Sequence, residues 1–327
     1  MENDYAPSKE GERAASKSGN SVPKQPDSPQ RRRLLKGAAA AGVVVAGAGS
    51  AAAGLSQSSR DALGSFLQDH YRRMDRQEIQ EALARIERRA ERDHGVAIRC
   101  GNQPPIAGVA FGYALNLSRC TGTRRCVDAC IRENNTGRHD GLGNIRVLSM
   151  PDNTWDLSRA DHHYQPETVP EKGRWYLPVQ CQQCGDPACV QACPVEATWR
   201  EPDGMVVVDY DWCIGCRYCA TACPYWARRF NWRDPVIPKG EITPDTHYLG
   251  NRPRRRGVME KCTLCVQRSR RGSYPACHQA CPTGARIFGN LLDADSPIRY
   301  VLEHKRVYRL KEEQGTDPQF WYVVDGP

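Results

Sequence analysis

Cysteine spacing is the feature that most constrains this chain. All but one of its 16 cysteines fall into four runs, and the third run reads Cys213-Ile-Gly-Cys216-Arg-Tyr-Cys219-Ala-Thr-Ala-Cys223-Pro224. The spacing C-x2-C-x2-C-x3-C-P is typical of chains that ligate cuboidal iron–sulfur clusters. Three closely spaced thiolates surround one cluster, and the fourth, which we expect to begin a short helix, faces a second cluster. The third run therefore predicts two neighbouring clusters.

Two further runs repeat this pattern with longer loops. The second run consists of Cys181, Cys184, Cys189 and Cys193, and the fourth consists of Cys262, Cys265, Cys277 and Cys281. Each run ends in proline, and the fourth opens its middle loop to 11 residues. Because the last thiolate of a run faces a second cluster, a run on its own leaves one iron without a ligand. We therefore expect pairs of runs to exchange their last cysteines.

The first run departs from the pattern. It reads Cys120-Thr-Gly-Thr123-Arg-Arg-Cys126-Val-Asp-Ala-Cys130, with Thr123 in place of the second cysteine and Ile131 in place of proline. A neutral hydroxyl is a much poorer iron ligand than a thiolate. This favours a three-iron cluster at the first run. The next alternative is a four-iron cluster completed by water, hydroxide or the Thr123 oxygen, and loss of the cluster comes last.

The sixteenth cysteine, Cys100, lies 20 residues before Cys120. Two roles are open to it: it folds back as the missing ligand of the first run, or it is an unligated thiol. Its spacing requires neither role.

Other uses of cysteine compete with clusters. Zinc ribbons also pair C-x2-C units, but their spacing does not continue to a third and fourth cysteine followed by proline. Three cysteines within seven residues pair poorly with one another as disulfides. A zinc- or disulfide-stabilised extracellular binding module is the alternative hypothesis. A third hypothesis is a redox enzyme that binds a small substrate at the incomplete cluster.

The amino-terminal 54 residues have the composition of a leader and an export signal. Residues 1–30 are polar, and Gln30-Arg31-Arg32-Arg33-Leu34-Leu35-Lys36 precedes an Ala/Gly/Val-rich stretch that ends near residue 54. The order Arg-Arg-x-Leu-Leu-Lys resembles the twin-arginine signal, which exports folded proteins. This predicts a location at the periplasmic face of the cytoplasmic membrane. Cleavage and retention of the signal are both open.

The rest of the chain divides into a helical segment and a cysteine-rich domain. Residues 55–99 carry an apolar stripe at helical spacing, which packs on its own domain or docks another subunit. Residues 100–327 form the second domain, with Tyr113–Leu117 as a strand, and with Thr198–Arg200 and Met205–Asp209 as a hairpin. Residues 151–174 and 235–256 are rich in Pro, Gly and charge and predict surface insertions.

Charge and aromatic residues add little to this assignment. The net charge of +8 is scattered without a basic stripe, so we expect no nucleic-acid partner. Five aromatic residues flank the runs, and we expect them to shield the clusters and pack the core. They are Trp199, Trp212, Tyr225, Trp226 and Trp232.

The ordered series of four runs resembles the four-cluster ferredoxin-type subunits of polysulfide, dimethyl sulfoxide and formate-dependent nitrite reductases. The resemblance spans roughly residues 109–292 and rests on Tyr176-Leu-Pro-Val-Gln-Cys181, Asp209-Tyr-Asp-Trp-Cys213, Glu260-Lys-Cys262 and Pro275-Ala-Cys277. It implies an α+β fold of tandem bacterial-ferredoxin-like modules with short strands and cluster-binding loops, preceded by the amphipathic helical segment. One module would combine residues 109–150 with 257–292, and the other would span residues 175–234.

The resemblance also implies the ligand sets. One cluster would take Cys181, Cys184, Cys189 and Cys223; its neighbour Cys213, Cys216, Cys219 and Cys193; a third Cys262, Cys265, Cys277 and Cys130. The fourth keeps only Cys120, Cys126 and Cys281, because Thr123 departs from the family pattern. The expected cofactors are three [4Fe-4S] clusters and one [3Fe-4S] cluster, or a [4Fe-4S] cluster completed without cysteine.

In such a family the clusters connect a catalytic subunit to a membrane partner, and the ferredoxin subunit carries no catalytic residue. The resemblance implies an electron-transfer subunit of an exported respiratory oxidoreductase. Its catalytic partner would be a molybdopterin enzyme, a multihaem reductase or a hydrogenase, and its membrane partner would react with quinone.

Overall fold

A computed structural model describes residues 74–138 and 143–325. The chain divides into two units, Met1–Arg73 and Met74–Pro327, and the description below concerns the second. The predicted leader, the twin-arginine signal and the part of the helical segment before residue 74 lie outside the described residues. Within the described ranges, no helix combines the length and apolar character needed to cross a membrane.

The described residues form short helices and short strands joined by loops. The helices are Arg76–His94 (α1), Arg125–Glu133 (α2), Ala188–Gln191 (α3), Tyr218–Thr221 (α4), Val266–Ser269 (α5), Ala276–Gln279 (α6) and Pro297–His304 (α7). The first six strands are Arg99–Gly101 (β1), Phe111–Asn116 (β2), Arg146–Pro151 (β3), Arg174–Val179 (β4), Thr198–Arg200 (β5) and Val206–Val208 (β6). The others are Arg229–Phe230 (β7), Asp245–His247 (β8), Met259–Glu260 (β9), Arg286–Asn290 (β10), Val307–Tyr308 (β11) and Phe320–Val323 (β12). This mixture agrees with the predicted α+β class.

Helix α1 has a complete set of end signals. At its start the Asp75 side chain accepts a hydrogen bond from the Glu78 N–H (2.9 Å), and the Glu78 carboxylate accepts one from the Asp75 N–H (2.8 Å). This reciprocal capping box satisfies two backbone donors that the helix cannot satisfy itself. At its end Gly95 adopts a left-handed conformation, with φ of 66°. The sequence prediction of a helix is confirmed for this part of the segment.

The apolar face of α1 packs within its own unit. Leu83, Ile86 and Ala90 form a small buried cluster, the α1 cluster, together with Ile98, Cys100, Ile237 and Ile242. Of the two roles predicted for the stripe, the described part of it therefore serves internal packing.

The largest sheet has the strand order β10-β2-β12-β11. Strand β2 runs antiparallel to β10 and parallel to β12, which brings the end of the chain beside the strand that precedes the first cysteine run. Tyr113 stacks on Phe320 with ring centroids 5.1 Å apart, and both side chains are buried. The predicted strand at Tyr113–Leu117 is confirmed, except that Leu117 lies in a 3-10 turn.

The remaining strands form two-stranded pairs. The predicted hairpin is confirmed, because Thr198 pairs with Val208 and Arg200 with Val206. The insertion 151–174 separates β3 from β4, which pair antiparallel over their full lengths. The insertion 235–256 is more than a surface loop: β8 pairs in parallel with β1, and the His247 and Arg254 side chains are buried. That part of the prediction is wrong, because the insertion supplies one side of the α1 cluster.

Candidate iron–sulfur sites

All four cysteine runs have a left-handed residue at the same position. The residue before the second ligand position has a positive φ in each run: 78° at Gly122, 47° at Gln183, 72° at Gly215 and 53° at Leu264. Alternating left- and right-handed residues turn successive backbone N–H groups toward one point, where they bind negative charge. The first run therefore keeps the cluster-loop backbone although Thr123 replaces a cysteine.

Gly122 shows how tightly the first loop is held. A Cβ atom at this position would lie 2.4 Å from the ring of Tyr176, which is closer than any side chain tolerates. The Tyr164 hydroxyl donates a hydrogen bond of 2.5 Å to the Gly122 carbonyl oxygen. The packing against Tyr176 therefore requires glycine beside Thr123.

Folding brings the cysteines into four groups, each with three positions from one run and one cysteine from another. Cys130 of the first run lies close enough to Cys265, Cys262 and Cys277 of the fourth run for their charges to act on it. Cys120 likewise has Cys126 and Cys281 as neighbours.

The second and third runs share their cysteines in the same way. Cys184 neighbours Cys181, Cys189 and Cys223. Cys219 neighbours Cys213 and Cys193. We name the groups site A (Cys213, Cys219, Cys193 and, by its place in the third run, Cys216), site B (Cys181, Cys184, Cys189, Cys223), site C (Cys262, Cys265, Cys277, Cys130) and site D (Cys120, Cys126, Cys281 and Thr123).

Helix packing produces this exchange. Helix α3 packs against α4, and α2 packs against α6, so the carboxyl-terminal halves of paired runs lie side by side. The expectation that the fourth cysteine begins a short helix is wrong. Cys219 lies within α4 and Cys223 follows it, and Cys189 and Cys193 have the same relation to α3. About one helical turn thus separates a cysteine that lies with its own run from one that lies with the partner run.

The four sites lie in one series. Cys219 of site A neighbours Cys189 of site B, Cys181 of site B neighbours Cys262 of site C, and Cys277 of site C neighbours Cys126 of site D. All four cysteines of site C are buried, whereas all three cysteines of site D, and all those of site A except Cys219, are partly exposed. The order A-B-C-D therefore runs from one partly exposed end to another, through site B, which has two buried cysteines, and the fully buried site C.

Burial dominates the electrostatics of most of these thiols. It raises the pKa of Cys120 and Cys219 to about 11 and that of Cys262 to about 12. At Cys281 burial acts in the same direction, but hydrogen bonds from Thr283 and the backbone bring its pKa below the ordinary value. Without metal most of the thiols hold their protons near neutral pH, so ligation must displace them.

The donor set fits clusters of several irons. All 16 cysteines lie in the described residues, and none of them is disulfide-bonded. Within those residues, no three His, Cys, Asp or Glu side chains converge as they would around a single metal ion. A cuboidal cluster instead takes one thiolate per iron. Free, spaced thiols on cluster-type loops match that requirement.

Thr123 lies beside the site D cysteines, but Cys100 does not. Thr123 lines a surface cavity together with Cys120, Cys126 and Cys281. Cys100 lies instead in the buried α1 cluster, where its side chain bonds Thr246 and its N–H donates to Glu87 (2.8 Å). The structure therefore does not bring Cys100 to the vacant ligand position.

Sequence reasoning missed several side chains that contact the thiols. Arg228 and Arg286 donate hydrogen bonds to cysteine sulfurs, and the Tyr113 hydroxyl lies 3.3 Å from Cys277 Sγ. The available signal was the Ala-Arg pair that follows the third and fourth runs at the same spacing. The aromatic prediction holds for Tyr225, which is buried, and for Trp199, which is partly buried and packs on the core. Packing in the core is wrong for three others, which are exposed: Trp212, Trp226 and Trp232.

Comparison with known proteins agrees with this geometry. A family described as "4Fe-4S dicluster domain" matches residues 174–255 and 249–291, which include the second, third and fourth runs. The iron–sulfur cluster-binding subunit of menaquinone reductase from Nitratidesulfovibrio vulgaris is 38% identical over 238 residues, covering 66% of this chain and 89% of that protein. The chain belongs to the ferredoxin-type iron–sulfur subunits of respiratory oxidoreductases.

Other relatives of this ferredoxin-type subunit come from different complexes. Hdr-like menaquinol oxidoreductase iron–sulfur subunit 1 of Archaeoglobus fulgidus is 38% identical over 210 residues, covering 62% of this chain and 73% of the relative. The iron–sulfur subunit of arsenate respiratory reductase from a Shewanella species is 32% identical over 244 residues, covering 65% of this chain and 95% of that protein. The ferredoxin-type subunit is an electron-transfer protein that binds iron–sulfur clusters.

Proposed function

We propose that the chain passes electrons between a catalytic subunit and a quinone-reacting membrane partner in an exported respiratory oxidoreductase. The series A-B-C-D carries this proposal, because two accessible ends joined through a buried middle are what a conductor between two partners requires. The named complexes of its relatives support partners of this kind. The catalytic partner would be a molybdopterin enzyme, a multihaem reductase or a hydrogenase.

We place three [4Fe-4S] clusters at sites A, B and C and a [3Fe-4S] cluster at site D. When bound, such clusters supply one-electron transfer. The fold positions the ligating cysteines, buries those of site C away from water, and leaves most of those at sites A and D partly exposed. Fifteen cysteines fill every ligand position except that of Thr123.

The surface around site A has the character of a docking surface. Trp212, Ile214 and Tyr218 lie between or beside the site A cysteines, and their side chains are 44%, 62% and 63% exposed. Contiguous exposed apolar side chains mark interaction sites on protein surfaces. Site A is therefore one end at which we expect a partner subunit.

Isolation of the native complex tests this function. We expect the chain to copurify with a cofactor-bearing catalytic subunit and an integral membrane subunit, in the membrane fraction and facing the periplasm. Replacing Arg31 and Arg32 with lysine should leave the folded chain in the cytoplasm, because the twin-arginine pair would be lost. A chain that purifies only as a free monomer contradicts the proposal of partners.

Thr123→Cys tests the nature of site D separately. The loop already has the backbone of the other runs, so the new thiolate should complete the ligand set and raise the iron content by about one per chain. We expect electron paramagnetic resonance of the oxidised protein to lose the three-iron signal. Thr123→Ser, which keeps the hydroxyl, serves as the matched control and should retain it. A wild-type protein with about 16 irons and no three-iron signal would exclude the three-iron assignment.

A further inference from the structure

Two buried arginines occupy the same place in the two halves of the domain. Arg228 is the fifth residue after Cys223 and Arg286 is the fifth after Cys281, and each follows an alanine in a Cys-Pro-x-x-Ala-Arg sequence. Their side chains are buried, with 6% and 3% of the residue surface exposed. Equivalent placement in two differently spaced runs suggests a shared role.

Arg286 contacts ligands of two neighbouring sites. Its Nη2 donates to Cys126 Sγ of site D at 3.4 Å, and its Nη1 approaches Cys277 Sγ of site C at 3.8 Å. Nη1 also donates to the Gln180 side-chain oxygen at 2.7 Å, which fixes the guanidinium between the two sites. A single positive charge therefore lies against thiols of both C and D.

Arg228 has the corresponding position in the other half. Its Nη2 donates to Cys189 Sγ of site B and to the Thr198 hydroxyl, both at 2.9 Å. Its charge also acts on Cys219 of site A and Cys181 of site B. The two arginines thus lie at the A-B and C-D junctions of the series.

No carboxylate pairs with either arginine in the described parts of the chain. Other buried arginines there have such partners, since Arg254 pairs with Glu260 at 2.6 Å and Arg270 with Asp203 at 2.7 Å. In Arg228 the buried Nε and Nη1 atoms also have no hydrogen-bond partner. A buried charge is costly unless an opposite charge lies nearby. Among the described residues, the negative groups that the sites offer Arg228 and Arg286 are the ligating thiolates.

Arginine keeps its positive charge in proteins. Both guanidinium groups therefore place a fixed positive charge beside cysteine sulfurs.

We infer that Arg228 and Arg286 are positioning residues that raise the reduction potentials of the sites in pairs, Arg228 acting on A and B and Arg286 acting on C and D. A fixed positive charge and N–H donors at sulfur stabilise the more negative, reduced form of a cluster. Because each arginine adjoins two sites, its removal changes two potentials together. This inference rests on the proposed four clusters, which the iron content of the wild-type protein tests independently.

Redox titration of neutral and charged variants tests the inference. In the full chain, Arg286→Gln keeps an N–H donor but removes the charge, and we expect the potentials of two of the four clusters to shift downward. Arg228→Gln should shift the other two, and the lysine variants at both positions should restore values close to wild type. The potentials are followed by electron paramagnetic resonance, with iron content measured on every sample.

Arg217→Gln is the control for a charge near a cluster without burial. Arg217 follows the site A ligand Cys216, is exposed and lies over the Trp232 ring, so water screens its charge and we expect a smaller shift. Unchanged potentials in an iron-replete glutamine variant, or an equal shift of all four clusters, would overturn the inference. If both glutamine variants fail to retain iron, the arginines are needed for assembly and the role in setting potentials is rejected.

Discussion

Replacing Cys223 with alanine is expected to abolish the cluster of site B, not that of site A, and to stop electron transfer through the chain. Cys223 belongs to the third run in sequence, but in the structure it lies with Cys181, Cys184 and Cys189 of the second run. The variant should lose about four irons per chain, or about one if a three-iron cluster survives. Because B lies between A and C, turnover of the assembled complex should fall to background.

Two partner variants make this result specific. Cys184→Ala should remove the same electron paramagnetic resonance signal as Cys223→Ala, since both cysteines belong to site B. Cys219→Ala should remove a different signal, although Cys219 and Cys223 are only four residues apart. Cys100→Ala is the control, and its iron content should match wild type because that thiol lies in the α1 cluster. Loss of the same single signal in the Cys219 and Cys223 variants would contradict the exchange of ligands.

Removal of iron is expected to abolish the cooperative thermal unfolding of residues around the four sites. Cysteines make up a substantial part of the main core, where Cys130, Cys181, Cys223, Cys262 and Cys277 are all buried. The helices that carry ligands are mostly a single turn long, and such helices are not stable alone. Chelation under reducing conditions, followed by circular dichroism and limited proteolysis, measures the loss. A sample given reductant without chelator is the control, and an unchanged transition after complete iron removal would disprove the prediction.

Lowering the pH should promote the loss of iron. Burial raises the pKa of Cys262 and Cys184 to about 12, so these thiols are protonated in the iron-free chain at neutral pH and deprotonated when they bind iron. The iron-free form thus binds more protons, which means that lowering the pH favours it. We expect the rate of iron release to a chelator to rise as the pH falls from about 8 to about 5. A rate independent of pH would show that thiol protonation does not limit release.

Local spacing predicted the parts of the fold that local chemistry determines. The cysteine runs, the β5-β6 hairpin and the helical spacing of the apolar stripe in α1 are all encoded within a few residues. The position of Thr123 at the vacant ligand position was equally accessible, because the run around it keeps its register and its glycine.

Pairings between distant parts of the chain could not be read in this way. Strand β12 lies beside β2 although about 200 residues separate them, and β8 joins β1 out of a segment whose composition suggested a loop. The place of Cys100 depends on that second pairing. Arg228 and Arg286 were missed because their contacts with two sites form only when two runs pack together. The exposure of Trp226 and Trp232 depends on which surface the folded loops leave open.

The exchange of last cysteines also sets the order in which the ligand sets become complete during synthesis. In the order of synthesis, the proposed ligand sets of sites A and B are complete once Cys223 is made. Cys120, Cys126 and Cys130 emerge earlier, yet sites C and D cannot be completed before Cys277 and Cys281 appear. A chain interrupted between these points would hold half its complement of metal and display unfilled thiols. In the proposed export of the folded protein, completion of the fourth run would come before the chain leaves the cytoplasm.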